Sequence, residues 1–122
     1  MDPITVVYIL AALLTKHLIC DFPLQVPFHY LNKGTYGHPG GLAHAGIHVV
    51  GTFFVLCLFA PALAVYLALV DGIVHYHMDW AKMNINKHYG WKPDNSEYFW
   101  WLVGFDQWVH CMTYIGIVWY LV

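Results

Sequence analysis

Four apolar stretches, at 3–22, 42–60, 61–83 and 98–122, take up most of this chain. Each is close to the roughly 20 residues that a helix needs to cross the hydrocarbon core of a bilayer. The stretches do not alternate polar and apolar residues, and an eight-stranded barrel does not fit into 122 residues, which leaves helices as the spanning element. Only 10% of the residues are charged and 60% are hydrophobic, so a water-soluble fold would lack the charge to cover its own surface. The expected architecture is therefore all-α: one domain over 1–122, a four-transmembrane-helix bundle running up-down-up-down. Pro3 and Pro61 suit helix starts, and Asp94-Asn95-Ser96 supplies caps for the last helix.

Up-down connectivity puts the two longer loops, 23–41 and 84–97, on one side of the membrane and both termini on the other. The five lysines (Lys16, Lys33, Lys82, Lys87 and Lys92) lie in those loops or at the helix ends feeding them, and there is no arginine. The positive-inside rule then puts the loops in the cytoplasm and both termini on the outer side of a multi-pass inner-membrane protein. No basic run is dense enough for nucleic acid. Cys20, Cys57 and Cys111 form no CxxC pair and read as small buried hydrophobes. The partners this leaves are membrane lipids and a lipid or lipid-linked substrate.

Each stretch carries a pair of metal-capable side chains at i and i+4: His17/Asp21, His44/His48, His75/Asp79 and Asp106/His110. Residues four apart share a helix face. Counted at 1.5 Å per residue from the terminus side, the first and third pairs lie roughly 21–27 Å up their helices and the other two roughly 18–24 Å. All eight groups thus fall in one layer. An ionisable residue at membrane depth costs about 2.5–3.5 kcal/mol by insertion scales, and a divalent cation offsets that cost by neutralising carboxylates and accepting imidazole lone pairs. Zinc takes about four His or Asp ligands, so the set suits one or two zinc ions, with manganese or iron as alternatives. The other reading is a hydrogen-bonded network that fixes helix register without metal.

Around the eight, Lys82 follows Asp79 at i+3, Gln25 follows Asp21 at i+4, and Gln107 adjoins Asp106; both glutamines suit orienting roles. Asp71, one turn below His75, is a further ligand, a proton relay or a partner for His75. His77 faces away from the His75 side, and His29, His38 and His88 are expected to face water.

The strings HLICDFPLQ (from His17), HAGIH (from His44), HYHMDWAK (from His75) and DQWVH (from Asp106) resemble a bacterial and bacteriophage membrane family known as domain of unknown function 3307. The resemblance covers nearly the whole chain. It implies that Gln25, Lys82 and Gln107 belong with the eight, whereas Asp71 and His77 fall outside the pattern; it implies no activity. The His/Asp arrangement is also similar in kind, though not in fold, to the alkaline ceramidase and adiponectin-receptor group. The expected function is a membrane-embedded metal-dependent hydrolase of a lipid or lipid-linked phosphoester or acyl substrate, with Asp21 or Asp106 as general base and Lys82 holding an anionic headgroup. The alternatives are a metal-ion or proton transporter, and a structural or regulatory protein stapled by metal.

Overall fold

The computed structural model describes all residues, 1–122, and contains helices and no strands. Four long helices, α1 (Pro3–Asp21), α3 (Pro39–Phe59), α4 (Ala64–Tyr89) and α5 (Glu97–Leu121), are joined by a short α2 (Pro27–Tyr30) and a 3-10 turn at Pro61–Leu63. Their starts follow local chemistry. Asp2 accepts a hydrogen bond from the Thr5 amide (3.0 Å), Ser96 accepts from the Tyr98 amide (3.2 Å), and proline opens α1, α2 and α3, where no amide donor is required. His38 caps α3, its Nδ1 accepting from the Gly40 amide at 2.9 Å.

α1 packs against α3 and α5, and α4 packs against the same two, so the long helices close into a ring of four with α2 resting on α3. Gly72 allows α3 and α4 to approach: a Cβ there would collide with Val49 Cγ2 and sit 3.7 Å from the Ala45 carbonyl. Three boundaries depart from the sequence expectation, the first being that of α4, which begins at Ala64 after the 3-10 turn instead of at Pro61. α3 begins at Pro39 instead of 42. α4 continues through Tyr89 instead of ending at 83, so the following loop shortens to 90–96. The added turns of α4 are held by the Asn84 side chain, which donates to the carbonyls of Trp80 and Gly34 (both 2.8 Å), and they end at Gly90, whose φ of 68° stops the helix.

The interior has two layers. Toward the termini, Ile9, Leu13, Leu56, Leu67, Tyr114 and Ile117 form the centre of a dry apolar core. Above it the interior is polar, and thirteen of the 28 buried residues carry polar or charged side chains. The exterior reverses the pattern of a water-soluble bundle. On α5, Phe105, Trp108, Met112, Ile115 and Trp119 form an exposed ridge at helical spacing, and Val65, Leu69 and Ile73 do the same on α4. By length and composition, α1 and α3 are each apolar enough to cross a membrane. α4 and α5 are longer, at 26 and 25 residues, but neither contains a comparably apolar run.

Candidate metal centre

All four i, i+4 pairs point inward, and their eight side chains are buried in one cluster. The tightest convergence is on Asp21 Oδ1. His44 Nε2 and His48 Nε2 lie 3.1 Å from it and His75 Nε2 lies 3.5 Å away, while the His44 and His75 Nε2 atoms are 3.0 Å apart. A tetrahedral ion with ligand bonds of about 2.0–2.1 Å holds its ligand atoms about 3.3–3.4 Å from one another, close to these separations. Two imidazole nitrogens at hydrogen-bond distance can share only one proton. A cation bound by both nitrogens would replace that shared proton. The residues present therefore fit a divalent ion with three imidazoles and one carboxylate.

A second group adjoins the first through His75. Asp79 Oδ2 is 3.1 Å from His75 Nε2 and 3.2 Å from His44 Nε2, and Asp79 Oδ1 is 3.6 Å from His110 Nε2. His110 Nδ1 is buried with no partner, while the Asp79 oxygens, His110 Nε2 and Asp106 Oδ1 have ion-pair contacts at 3.1–3.6 Å but no well-formed hydrogen bond. Leaving such atoms unmet costs about 1–3 kcal/mol each, so the group as it stands calls for a cation, water or ligand. Because His75 Nε2 has one lone pair, it serves one ion at a time.

The other predicted residues surround these two groups. His17 lies outside both: its Nε2 donates to Gln107 Oε1 (2.8 Å) and its Nδ1 accepts from the Tyr114 hydroxyl (2.9 Å), which occupies both ring nitrogens. Gln107 Nε2 donates to Asp21 Oδ2 (3.2 Å) and Asp106 Oδ2 (3.1 Å). Asp106 also receives Lys82 Nζ at 3.1 Å and faces His110 Nε2 at 3.2 Å. Lys82 lies 3.6 Å from Asp79, the i+3 partner expected from sequence. Gln25 accepts from Lys33 Nζ (2.9 Å) and donates to the Asp21 carbonyl, and Lys33 reaches Asp79 Oδ2 at 3.3 Å. Asp71 pairs with neither His75 nor a ligand group; it is bound by Lys16 and by Thr52.

Four expectations change. Lys16, assigned by sequence to a helix end, is buried beneath the cluster. Its Nζ meets His48 Nδ1 at 3.1 Å, Asp71 Oδ2 at 3.0 Å and the Tyr114 hydroxyl at 2.9 Å. With Lys33 also buried and Lys82 paired inside, the basic residues that remain exposed are Lys87 and Lys92, so the orientation argument rests on two lysines instead of five. Asp21, named from sequence both as a ligand and as a candidate base, contacts three imidazoles at ligand spacing. His29 does not face water: it is buried on α2 with its ring centroid 6.0 Å from that of His44, and burial, aided by that neighbour, holds its imidazole below the usual range. His77 and His88 are exposed as expected, with His77 bonded to the Tyr36 hydroxyl at 3.0 Å, while His38 is half-buried in its capping role.

Lys16, Thr52 and Tyr114 are members of the buried polar network that sequence reasoning did not place there, and the four-residue spacing signals two of them. His44/His48 continues to Thr52, and Asp106/His110 continues to Tyr114, in the same stripes that point inward. Lys16 has no such signal, since its stripe neighbours are apolar.

An all-α bundle with a buried His/Asp cluster able to hold a metal ion is the class that fold and site define. The chain belongs to the family described as protein of unknown function DUF3307, whose model matches residues 9–122. No curated protein and no solved structure matches it.

Proposed function

We propose that the protein is a membrane-embedded metal-dependent hydrolase acting on a lipid or lipid-linked phosphoester or acyl substrate. The carrying observation is the convergence of Asp21 Oδ1 with the Nε2 atoms of His44, His48 and His75 at tetrahedral ligand spacing. The three-imidazole, one-carboxylate set suits zinc, with manganese or iron as alternatives. All four long helices cross the bilayer in this reading. Its support is the reversed burial pattern, with charge inside and ridges of Trp, Phe, Ile and Val outside on α4 and α5 as well as on the two more apolar helices. In this reading the loop end, which carries the exposed Lys87 and Lys92, faces the cytoplasm and both termini lie outside.

A bound divalent ion supplies a Lewis acid and brings the pKa of a water toward neutrality. The chain supplies the rest. Asp106, outside both ligand groups and with Oδ1 facing His110 Nε2 at 3.2 Å, accepts a proton as general base. Gln107 ties Asp106 to Asp21 and fixes both carboxylates. Lys82 lies at the edge of the cluster and orients the anionic part of a substrate. The apolar core formed by Ile9, Leu13, Leu56 and Tyr114 closes the cluster on the terminus side, which favours hydrolysis at one interface over transport through the bundle. The test is turnover of a panel of phospho- and acyl-lipids by metal-loaded protein in detergent. Cleavage of one class, reduced at least a hundredfold by Asp106→Asn, supports the reading; no cleavage of any member by metal-loaded protein contradicts it.

A further inference from the structure

Four of the five lysines line one cavity of about 610 Å³ beside the cluster, at the loop end of α4 and α5. Lys33, Lys82, Lys87 and Lys92 reach it, and no carboxylate does. The four are not equivalent. Every lysine ion pair in the protein is made by Lys16, Lys33 or Lys82. Lys33 and Lys82 are therefore offset by Asp79 and Asp106, while Lys87 and Lys92 hold two positive charges with no counter-ion. Asn86, on the same wall, has a buried Oδ1 with no partner, an acceptor waiting for a hydroxyl. The cavity is within the usual size range for small-ligand sites.

We propose that this cavity is a phosphoryl-binding subsite, holding a group with two negative charges beside the metal centre. The charge count selects the ligand: a phosphate monoester carries about −1.5 to −2 at neutral pH and presents three acceptor oxygens. The residue type agrees. The chain has no arginine, whose planar fork matches carboxylates in two parallel bonds, and uses lysines, which act as point charges on flexible stems and suit a tetrahedral anion. Asn86 Oδ1 accepts from a hydroxyl on the part of the ligand that neighbours the phosphoryl group. The same chemistry comes from a lipid headgroup or from a soluble phosphorylated molecule. As a substrate subsite this rests on the hydrolase reading, but the binding itself does not.

The experiment is native mass spectrometry of the detergent-purified protein, counting adducts of phosphatidic acid, phosphatidylcholine and inorganic pyrophosphate, with metal content measured on the same samples. Lys87→Gln/Lys92→Gln is the variant, since both side chains are exposed and unpaired and their loss leaves the fold and metal content intact. The expected result is binding of phosphatidic acid or pyrophosphate over phosphatidylcholine, weakened at least tenfold in the variant at unchanged metal content. Phosphatidic acid alone identifies a lipid source, and pyrophosphate alone a soluble one. Binding of neither probe by the wild type, or equal binding by the variant, overturns the subsite. Metal-free protein that still binds phosphate and loses it in the variant keeps the subsite and removes the hydrolase reading. Metal-loaded protein that binds neither probe removes the subsite alone.

Discussion

Removing one member of a buried ion pair strands the other in a low-dielectric interior, and Lys16 stands in that position toward Asp71. The pair lies between the His/Asp layer and the apolar core, with Thr52 donating to the same carboxylate oxygen at 2.6 Å. Lys16→Met is expected to lower stability by about 3–5 kcal/mol, read from unfolding in mixed micelles. Lys16→Met/Asp71→Leu removes both charges and recovers more than half of that loss. Additive losses would show that Lys16 matters for its other partners, His48 and Tyr114. His29 gives a pH dependence. Its imidazole is held below the ordinary value of about 6.5, so the unfolded chain takes up the proton first. The stability from keeping it neutral is complete above that pH and is lost as the pH falls below it. His29→Asn should flatten the fall in stability between about pH 6.5 and 5; an unchanged slope would contradict the burial of His29. Neither residue was legible in the sequence. A lone lysine beside a polar cluster reads as an interfacial side chain, and a histidine in a Pro-rich loop reads as solvated. Both are buried by long-range packing.

At the scale of the elements, the four long helices were legible, whereas the short α2, the start of α3 and both ends of α4 were not. A stretch of about 20 apolar residues signals a helix through burial alone, whereas 84–89 (Asn-Ile-Asn-Lys-His-Tyr) carries no apolar signal. The helix persists there because Asn84 ties it to the Gly34 carbonyl in the opposite loop, a contact that no local pattern records. The inward stripes were legible for the same reason as the helices: a four-residue spacing on four segments fixes one face of each. How those faces divide into two ligand groups sharing His75, with His17 left to the hydrogen-bonded surround, depends on rotation and register of the packed helices. Gly72 sets that register for α3 and α4. Gly72→Leu drives a side chain into Val49, and about 1–3 kcal/mol of destabilisation is expected, together with loss of metal affinity as His44 and His48 move away from His75. Unfolding and metal titration on the same variant check this. Full metal affinity in a destabilised protein would show that the site does not depend on that approach.

The whole molecule is a bundle with its charge inside and its apolar side chains outside, and its interior is half core and half site. So small a bundle has few apolar contacts to spare, and a ligand that binds only the folded state stabilises it by mass action: about 2.7 kcal/mol at a hundredfold excess over Kd. Chelation should therefore lower Tm in proportion to the logarithm of free metal. The hydrolase reading depends on a bound ion, so elemental analysis of detergent-purified protein, never exposed to chelator, is its most direct test. Wild type should hold one or two equivalents of zinc, manganese or iron, and His44→Ala/His48→Ala should lose the ion seated at Asp21. Folded wild-type protein without metal would contradict the account, leaving the five imidazoles and three carboxylates as a proton-sharing network that fixes the helices.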